Sequence, residues 1–107
     1  MKKYLEKNVY DAAMERIDIA FTDFEKVLVA FSGGKDSGVM LNLCYEYAKS
    51  NNCLDKMAMY YEDYEGGYNL TADYVSRCFK KFDGVEKYWL CLPIKARCAV
   101  SMQQTHW

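Results

Sequence analysis

Long apolar runs and a charge of one sign are both missing from this sequence. No segment of the 107 residues is long and apolar enough to span a bilayer, and no apolar signal-peptide core follows the basic N-terminus. The net charge of −1 gives no electrostatic reason to expect nucleic acid or an anionic membrane as a partner. We therefore expect a cytoplasmic protein with neither kind of partner.

The cysteines and histidine do not form a metal-binding pattern. The five cysteines are an odd number without a Cys-x-x-Cys pair, which argues against a zinc site and an iron–sulfur cluster and favours a reducing compartment. Cys98 is expected to be a packed thiol, because nothing in the sequence indicates an activated one. His106, the sole histidine, lies beside the end of the chain and is expected to have no functional role.

Hydrophobic periodicity predicts an α/β fold. The 51% hydrophobic content indicates a folded chain, and the absence of repeats and linkers predicts one domain over 1–107. The alternation of helix and strand patterns predicts parallel strands joined by helical crossovers, with the first strand covered on both faces. The predicted helices are 9–24, 37–49 and 70–82, with the start of a further helix over 95–104, and the predicted strands are 26–31, 56–62 and 87–92.

The most informative segment is Ser32-Gly33-Gly34-Lys35-Asp36-Ser37, between the first strand and the second helix. A glycine-rich turn at this position directs backbone N–H groups and the positive end of a helix at one point, which favours an anion. Lys35 adds a positive charge, and the hydroxyls of Ser32 and Ser37 add donors. The spacing differs from Walker A, which needs a glycine further upstream.

This segment resembles the PP-loop of the adenine-nucleotide α-hydrolase superfamily, whose pattern is Ser-Gly-Gly-x-Asp-Ser. The resemblance is specific at 32–37 and looser over 25–93. It implies a Rossmann-like, HUP-type parallel sheet with flanking helices, and the three strands in the order 3-2-1. It also implies ATP or a sulfonucleotide as ligand, and Mg²⁺ as a cofactor. In that superfamily a fourth strand lies on the free side of the first, and no strand pattern follows 87–92 here. We therefore expect an incomplete, N-terminal domain whose sheet a C-terminal part or a second chain completes.

Within the loop, Lys35 and Asp36 are the candidate catalytic residues. Lys35 would neutralise nucleotide phosphates. Asp36 would either cap the helix, which we favour, or help to hold Mg²⁺. No further metal ligands are identified. The remaining members of 32–37 would bind the nucleotide through backbone amides and hydroxyls.

Two further pairs follow the second and third strands, at the edge where open α/β sheets bind ligands. Glu62 and Asp63 are candidates for accepting hydrogen bonds from a ribose or for coordinating Mg²⁺ through water, with a polar loop as the alternative. Lys95 and Arg97 are candidates for binding a second anionic substrate group, with an exposed helix start as the alternative.

The resemblance leaves three functions open. The first is an ATP pyrophosphatase domain that binds ATP at 32–37, cleaves it between the α and β phosphates and transfers the adenylyl group to an acceptor. The second is part of a phosphoadenosine phosphosulfate (PAPS) reductase of sulfur metabolism. The third is a non-catalytic co-activator of gene expression, of the kind found on prophages and plasmids, that keeps nucleotide binding. A tRNA-modifying enzyme is disfavoured because the chain is not basic.

Overall fold

The structure, a computed structural model, describes residues 3–91, 93 and 97–104. It has an α/β fold in which three parallel strands are flanked by three helices. The helices are α1 (Val9–Asp23), α2 (Lys35–Ser50) and α3 (Asn69–Lys81), and the strands are β1 (Val27–Ala30), β2 (Met57–Asp63) and β3 (Glu86–Cys91). A short 3₁₀ turn, Leu54–Lys56, precedes β2. None of the described helices is long and apolar enough to cross a membrane.

The sheet has β2 at its centre, with β1 and β3 paired to it in parallel. This confirms the predicted α/β class, the parallel pairing and the strand order 3-2-1. Val29 lies beside Met59, and Tyr61 lies beside Trp89, so these side chains share one face of the sheet. Among the described residues, no strand pairs with the other side of β1.

The main core cluster lies on that face, and Ala58 is the buried strand residue on the opposite face. Met57, Met59 and Val75 are fully buried and belong to one cluster with side chains from all three helices. The strand residues of this cluster are odd-numbered, which places them on one side of the sheet. The opposite side carries Leu28, at 57% exposure, and the exposed Ala30. The prediction that β1 is covered on both faces is therefore wrong, because the helices of this chain cover only one.

The helices begin and end close to their predicted bounds. Asn8 caps α1 by accepting a 2.8 Å hydrogen bond from the amide of Asp11. Gly84, with a φ of +77°, follows α3 and turns the chain into β3. The predicted helix over 95–104 is wrong for 97–104. There the Ser101 hydroxyl accepts a 2.9 Å bond from the Gln104 amide in a local turn that competes with helix formation.

Candidate functional site

The turn between β1 and α2 depends on one glycine with a left-handed backbone conformation. Gly33 has a φ of +81°, in the left-handed region that glycine adopts without steric cost. A Cβ at this position would lie 2.9 Å from Cγ2 of Thr71 and 3.1 Å from Cγ2 of Val75. The turn therefore packs directly against α3. The sequence does not indicate this contact, because it joins segments that are far apart in the chain.

The two serine hydroxyls close the turn on itself. The Ser37 hydroxyl donates to the carbonyl oxygen of Gly34 at 3.1 Å and accepts from the Ser32 amide at 3.3 Å. The Ser32 Oγ lies 3.0 Å from the Ser37 Oγ and accepts from the Gly34 amide at 3.4 Å. Each hydroxyl has a single proton, and both protons can be used inside the turn. The donors left for a ligand are therefore backbone amides.

Those amides belong to the first turn of α2. Helix α2 begins at Lys35, two residues earlier than predicted, with Gly34 as an N-cap that makes no side-chain bond. Within the described residues, the amides of Lys35, Asp36 and Ser37 donate to no acceptor, as is usual for the first turn of a helix. The Lys35 side chain is exposed beside them and forms no ion pair with a described residue. The arrangement is suited to an anion.

The predicted capping role of Asp36 is wrong. Because α2 starts at Lys35, Asp36 lies inside the first turn and not at the N-cap position. Its carboxylate is exposed and stabilises the positive end of the helix by charge alone. In the parts of the chain that the structure describes, no three acidic, cysteine or histidine side chains group together as metal ligands.

A cavity of about 400 Å³ lies beside the turn, at the carboxyl edge of the sheet. Its size is in the range of small-molecule sites. Strand β2 and the loop after it line one side, and Ser32 and Thr71 line the other; the β2 and loop residues include Tyr60, Glu62, Tyr64 and Tyr68. An open groove of about 610 Å³ lies on the other flank of the turn and includes Lys35 and Tyr74. The turn thus separates two concave surfaces.

Glu62 and Asp63 are in different environments. Glu62 lines the cavity and accepts a hydrogen bond from the Tyr64 hydroxyl, which raises the pKa of Tyr64. Asp63 uses both of its carboxylate oxygens inside the protein. Oδ1 accepts from the amide of Glu65, and Oδ2 accepts from the indole Nε1–H of Trp89, each at 2.9 Å. Glu62 is therefore placed to meet a ligand, whereas Asp63 ties the loop after β2 to β3.

Of the third predicted pair, Lys95 and Arg97, the structure describes only Arg97, and it does not place Arg97 beside the turn. Arg97 is exposed and lines neither the cavity nor the groove beside the turn. Lys95 lies outside the described residues, as does His106. Trp89, the partner of Asp63, was not identified as a site residue in the sequence, because the hydrogen bond depends on the register between β2 and β3.

We predict that Asp63→Ala lowers the free energy of unfolding by about 1–3 kcal/mol, the usual range for hydrogen bonds to a charged group. Asp63→Asn is expected to cost about half as much, because its amide oxygen still accepts from Glu65 but its amide nitrogen cannot accept from Trp89. In a Trp89→Phe background, Asp63→Asn should have almost no further effect. Urea unfolding of the four variants measures this coupling. An equal cost of Asp63→Asn in both backgrounds would contradict the assignment.

One curated protein is similar to this chain over nearly its whole length. The chain is 35% identical over 105 residues to the uncharacterized protein YbdN of Escherichia coli strain K12. The match covers 96% of this chain and 25% of YbdN, so the chain spans about a quarter of the relative. No protein-family profile matches the chain. No solved structure matches it either.

Proposed function

We propose that this chain is an adenine-nucleotide-binding domain of the PP-loop superfamily and that residues 32–37 bind the nucleotide phosphates. The observation that carries the proposal is the first turn of α2. Three amides without an acceptor and the exposed Lys35 ammonium are held together there by a turn that Gly33 packs against α3. Backbone amides and a lysine charge are the groups with which proteins bind phosphate.

The neighbouring surfaces support a nucleotide more than a free phosphate. The cavity of about 400 Å³ adjoins the turn and is walled by tyrosines, which offer flat apolar faces to a base. Glu62 lines the same cavity, and its carboxylate can accept hydrogen bonds from ribose hydroxyls. In this arrangement the phosphates lie at 32–37 and the nucleoside lies toward the end of β2.

The proposed reaction is adenylyl transfer. An acceptor would form a bond to the α-phosphorus of ATP, the bond between the α-phosphorus and the bridging oxygen would break, and pyrophosphate would leave. Lys35 and the amides of α2 would stabilise the charge that develops on the departing group. Mg²⁺, when bound, would neutralise part of the phosphate charge. Asp36, in the first turn of α2, and Glu62, in the cavity beside the turn, would be the residues that hold it through water.

A regulatory protein that binds a nucleotide without turnover is the second candidate. One observation favours it: both carboxylate oxygens of Asp63 have partners within the protein, and the described residues offer no cluster of metal ligands. A nucleotide that is bound mainly by backbone amides requires neither a free Asp63 carboxylate nor a cluster of metal ligands. A PAPS reductase would differ from both candidates in its ligand, because it would bind PAPS in preference to ATP.

We also propose that a further strand, from polypeptide outside this chain, pairs with the free edge of β1 and completes the sheet. An apolar groove of about 450 Å³ runs along the free side of β1 and is walled by α1 and α2. Val29 and Ala30 line it, and Arg16 is the charged side chain among its described lining residues. A further β-strand would fill such a groove and satisfy the free edge of β1.

Thermal unfolding with ATP-Mg²⁺, AMP, PAPS and GTP tests nucleotide binding. We predict that ATP-Mg²⁺ at a hundredfold excess over its dissociation constant stabilises the chain by about 2.7 kcal/mol, which raises Tm by roughly 10 °C or more. Lys35→Ala should weaken binding at least about tenfold, or 1.4 kcal/mol, because it removes a charge-assisted contact. Lys49→Ala, at the far end of the same helix, is the matched control and should keep the full shift.

The outcomes separate the candidates. A shift with ATP followed by release of AMP and pyrophosphate supports adenylyl transfer, whereas a shift without turnover supports the regulatory protein. A preference for PAPS, with thiol-dependent release of sulfite, supports the reductase. The proposal fails if no nucleotide produces a shift, or if Lys35→Ala and Lys49→Ala behave alike.

A further inference from the structure

The proposed function does not use a small notch between α2 and α3. Its volume is about 150 Å³, below the roughly 300–1,000 Å³ of most small-molecule sites. The floor of the notch is apolar and buried, and it is formed by Phe31, Leu41, Cys78 and Phe82. The rim is formed by Gly38, Asn42, Tyr74, Arg77 and Lys81. We call this surface the α2–α3 notch; its size suits one side chain of a partner.

Gly38 keeps one wall of the notch open, and no described neighbour requires a glycine at this position. Gly38 lies inside α2, where glycine is less favourable than alanine because it loses more backbone freedom on folding. An added Cβ would lie 3.9 Å from Cε2 of Phe31, an ordinary contact distance, and the φ of Gly38 is not left-handed. Alanine would therefore fit. A helical glycine that its own chain does not need is expected where a ligand approaches the backbone closely.

Two positive charges on the rim have no counter-charge among the described residues. Arg77 and Lys81 are exposed, lie one turn apart on α3 and form no ion pair there; Asp73, one turn before Arg77, does not pair with it. Like charges at this spacing repel each other. The negative end of the helix stabilises Lys81, which lies in the last turn, but its effect does not extend to Arg77. None of the described residues that line the notch is acidic, so the rim favours an anion.

Tyr74 positions Arg77 at the notch. The Tyr74 ring packs on Phe31, with the ring centroids 6.1 Å apart, and the guanidinium carbon of Arg77 lies 5.8 Å from the Tyr74 ring centroid. A guanidinium in this position can still donate two hydrogen bonds in its own plane to a carboxylate. On the α2 side, Asn42 Nδ2 donates to the carbonyl oxygen of Gly38 at 2.7 Å, which leaves the amide oxygen of Asn42 as an acceptor. The rim therefore offers an anion site and an acceptor for a peptide N–H group.

We propose that the α2–α3 notch binds an acidic segment of a protein partner, with one apolar side chain in the notch and adjacent carboxylates paired with Arg77 and Lys81. The apolar floor favours a peptide over a nucleic acid backbone, because a phosphate group does not fill an apolar notch. The Asn42 amide oxygen favours a peptide as well, since a phosphate backbone has no N–H to donate. With a net charge of −1, the chain suits a short acidic segment and not a long polyanion. This proposal does not depend on nucleotide binding.

Selection from a phage-displayed library of short random peptides tests the proposal. The selected peptides are synthesised with a fluorescent label, and their dissociation constants for this chain are measured by fluorescence anisotropy. Arg77→Glu reverses one rim charge, and Gly38→Leu places a side chain in the notch. Lys80→Glu is the matched control for Arg77→Glu, because Lys80 is exposed on the same helix and is not among the described residues that line the notch. Gly38→Ala is the control for Gly38→Leu.

The expected result is that the selected peptides carry an apolar residue with aspartate or glutamate on either side. Their dissociation constants should rise at least tenfold in Arg77→Glu and in Gly38→Leu, and should change less than about twofold in Lys80→Glu. Selected peptides without acidic residues, or no selected peptides at all, would overturn the proposal. Equal losses in Arg77→Glu and Lys80→Glu would also overturn it, because they would show attraction to positive charge in general.

Circular dichroism and thermal unfolding separate loss of binding from loss of folding. Gly38→Ala should unfold at the same or a higher temperature; a lower temperature would show that the chain itself needs this glycine, and would overturn the argument from Gly38. Where Arg77→Glu is less folded, Arg77→Gln, which removes the charge and keeps much of the side chain, should weaken binding at full folding. A uridine oligonucleotide whose binding depends on both Arg77 and Gly38 would overturn the proposal in favour of nucleic acid.

Discussion

Replacement of Phe31 by alanine is expected to lower the free energy of unfolding by about 3–5 kcal/mol, the usual cost of removing a buried phenylalanine. Phe31 is 2% exposed and lies between the end of β1 and the turn at 32–34. Its ring packs against Tyr74 of α3, with the ring centroids 6.1 Å apart, and its amide donates to the carbonyl oxygen of Tyr60 at 2.9 Å. A small domain has about 5–15 kcal/mol in total, so a large fraction of its stability would be lost.

Urea unfolding followed by circular dichroism measures the effect of Phe31→Ala. Phe24→Ala is the matched control, because the Phe24 side chain is 63% exposed and its removal should cost less than about 1 kcal/mol. If both substitutions shifted the unfolding midpoint equally, Phe31 could not be the side chain that joins the turn to the core.

Gly33→Ala is expected to cost about 2–4 kcal/mol, from two causes. The left-handed φ of +81° costs an alanine about 1–2 kcal/mol, and the added methyl group overlaps with side chains of α3. Val75 is fully buried and cannot move away, and Thr71 Cγ2 would be only 2.9 Å from the new carbon. The same substitution should reduce phosphate binding, because it displaces the turn that orients the first amides of α2.

Gly34→Ala is the control for Gly33→Ala. Gly34 has an ordinary φ of −80°, and its Cβ would come no closer than 3.4 Å to the Ser32 hydroxyl, so we expect a cost below about 1 kcal/mol. The double variant Gly33→Ala, Thr71→Ser removes the nearest methyl and should recover part of the loss. Equal midpoints for the two single variants in a urea titration would show that neither the backbone angle nor the contact with α3 matters.

The sequence predicted well those structural features that depend on residues close together in the chain. The Gly33-Gly34 turn lies between β1 and α2, as the order of residues indicated. The periodicity of 70–82 predicts four inward-facing residues, Val75, Cys78, Phe79 and Phe82; three of them are buried, and Phe79 is half-buried. These features depend on neighbours within one or two turns of the chain, and periodicity reports such neighbours directly.

Predictions were less accurate where they depended on which other helix or strand a segment packs against. On α2 the periodicity predicts one inward face formed by Met40, Leu43, Cys44 and Tyr47. Cys44 is buried, but Met40 is 51% exposed, and Leu41 and Ala48 are buried although they are not on that face. The reason is that α2 lies between the sheet and α1, and Tyr47, on the predicted face, packs on Phe21 of α1 at 5.2 Å. An apolar stripe shows that a helix is covered, but it does not show which of two neighbours covers which side.

The sequence by itself determined the α/β class, the parallel strands and the glycine turn between β1 and α2, because each follows from residue order and backbone preference. The strand order 3-2-1 was implied by the resemblance at 32–37. Only the tertiary structure decided that Asp63 is tied to Trp89, that Gly33 packs on α3 and that the helices of this chain cover one face of the sheet. These three features join segments that are distant in the chain. Their geometry depends on strand register and helix placement, which no local pattern encodes.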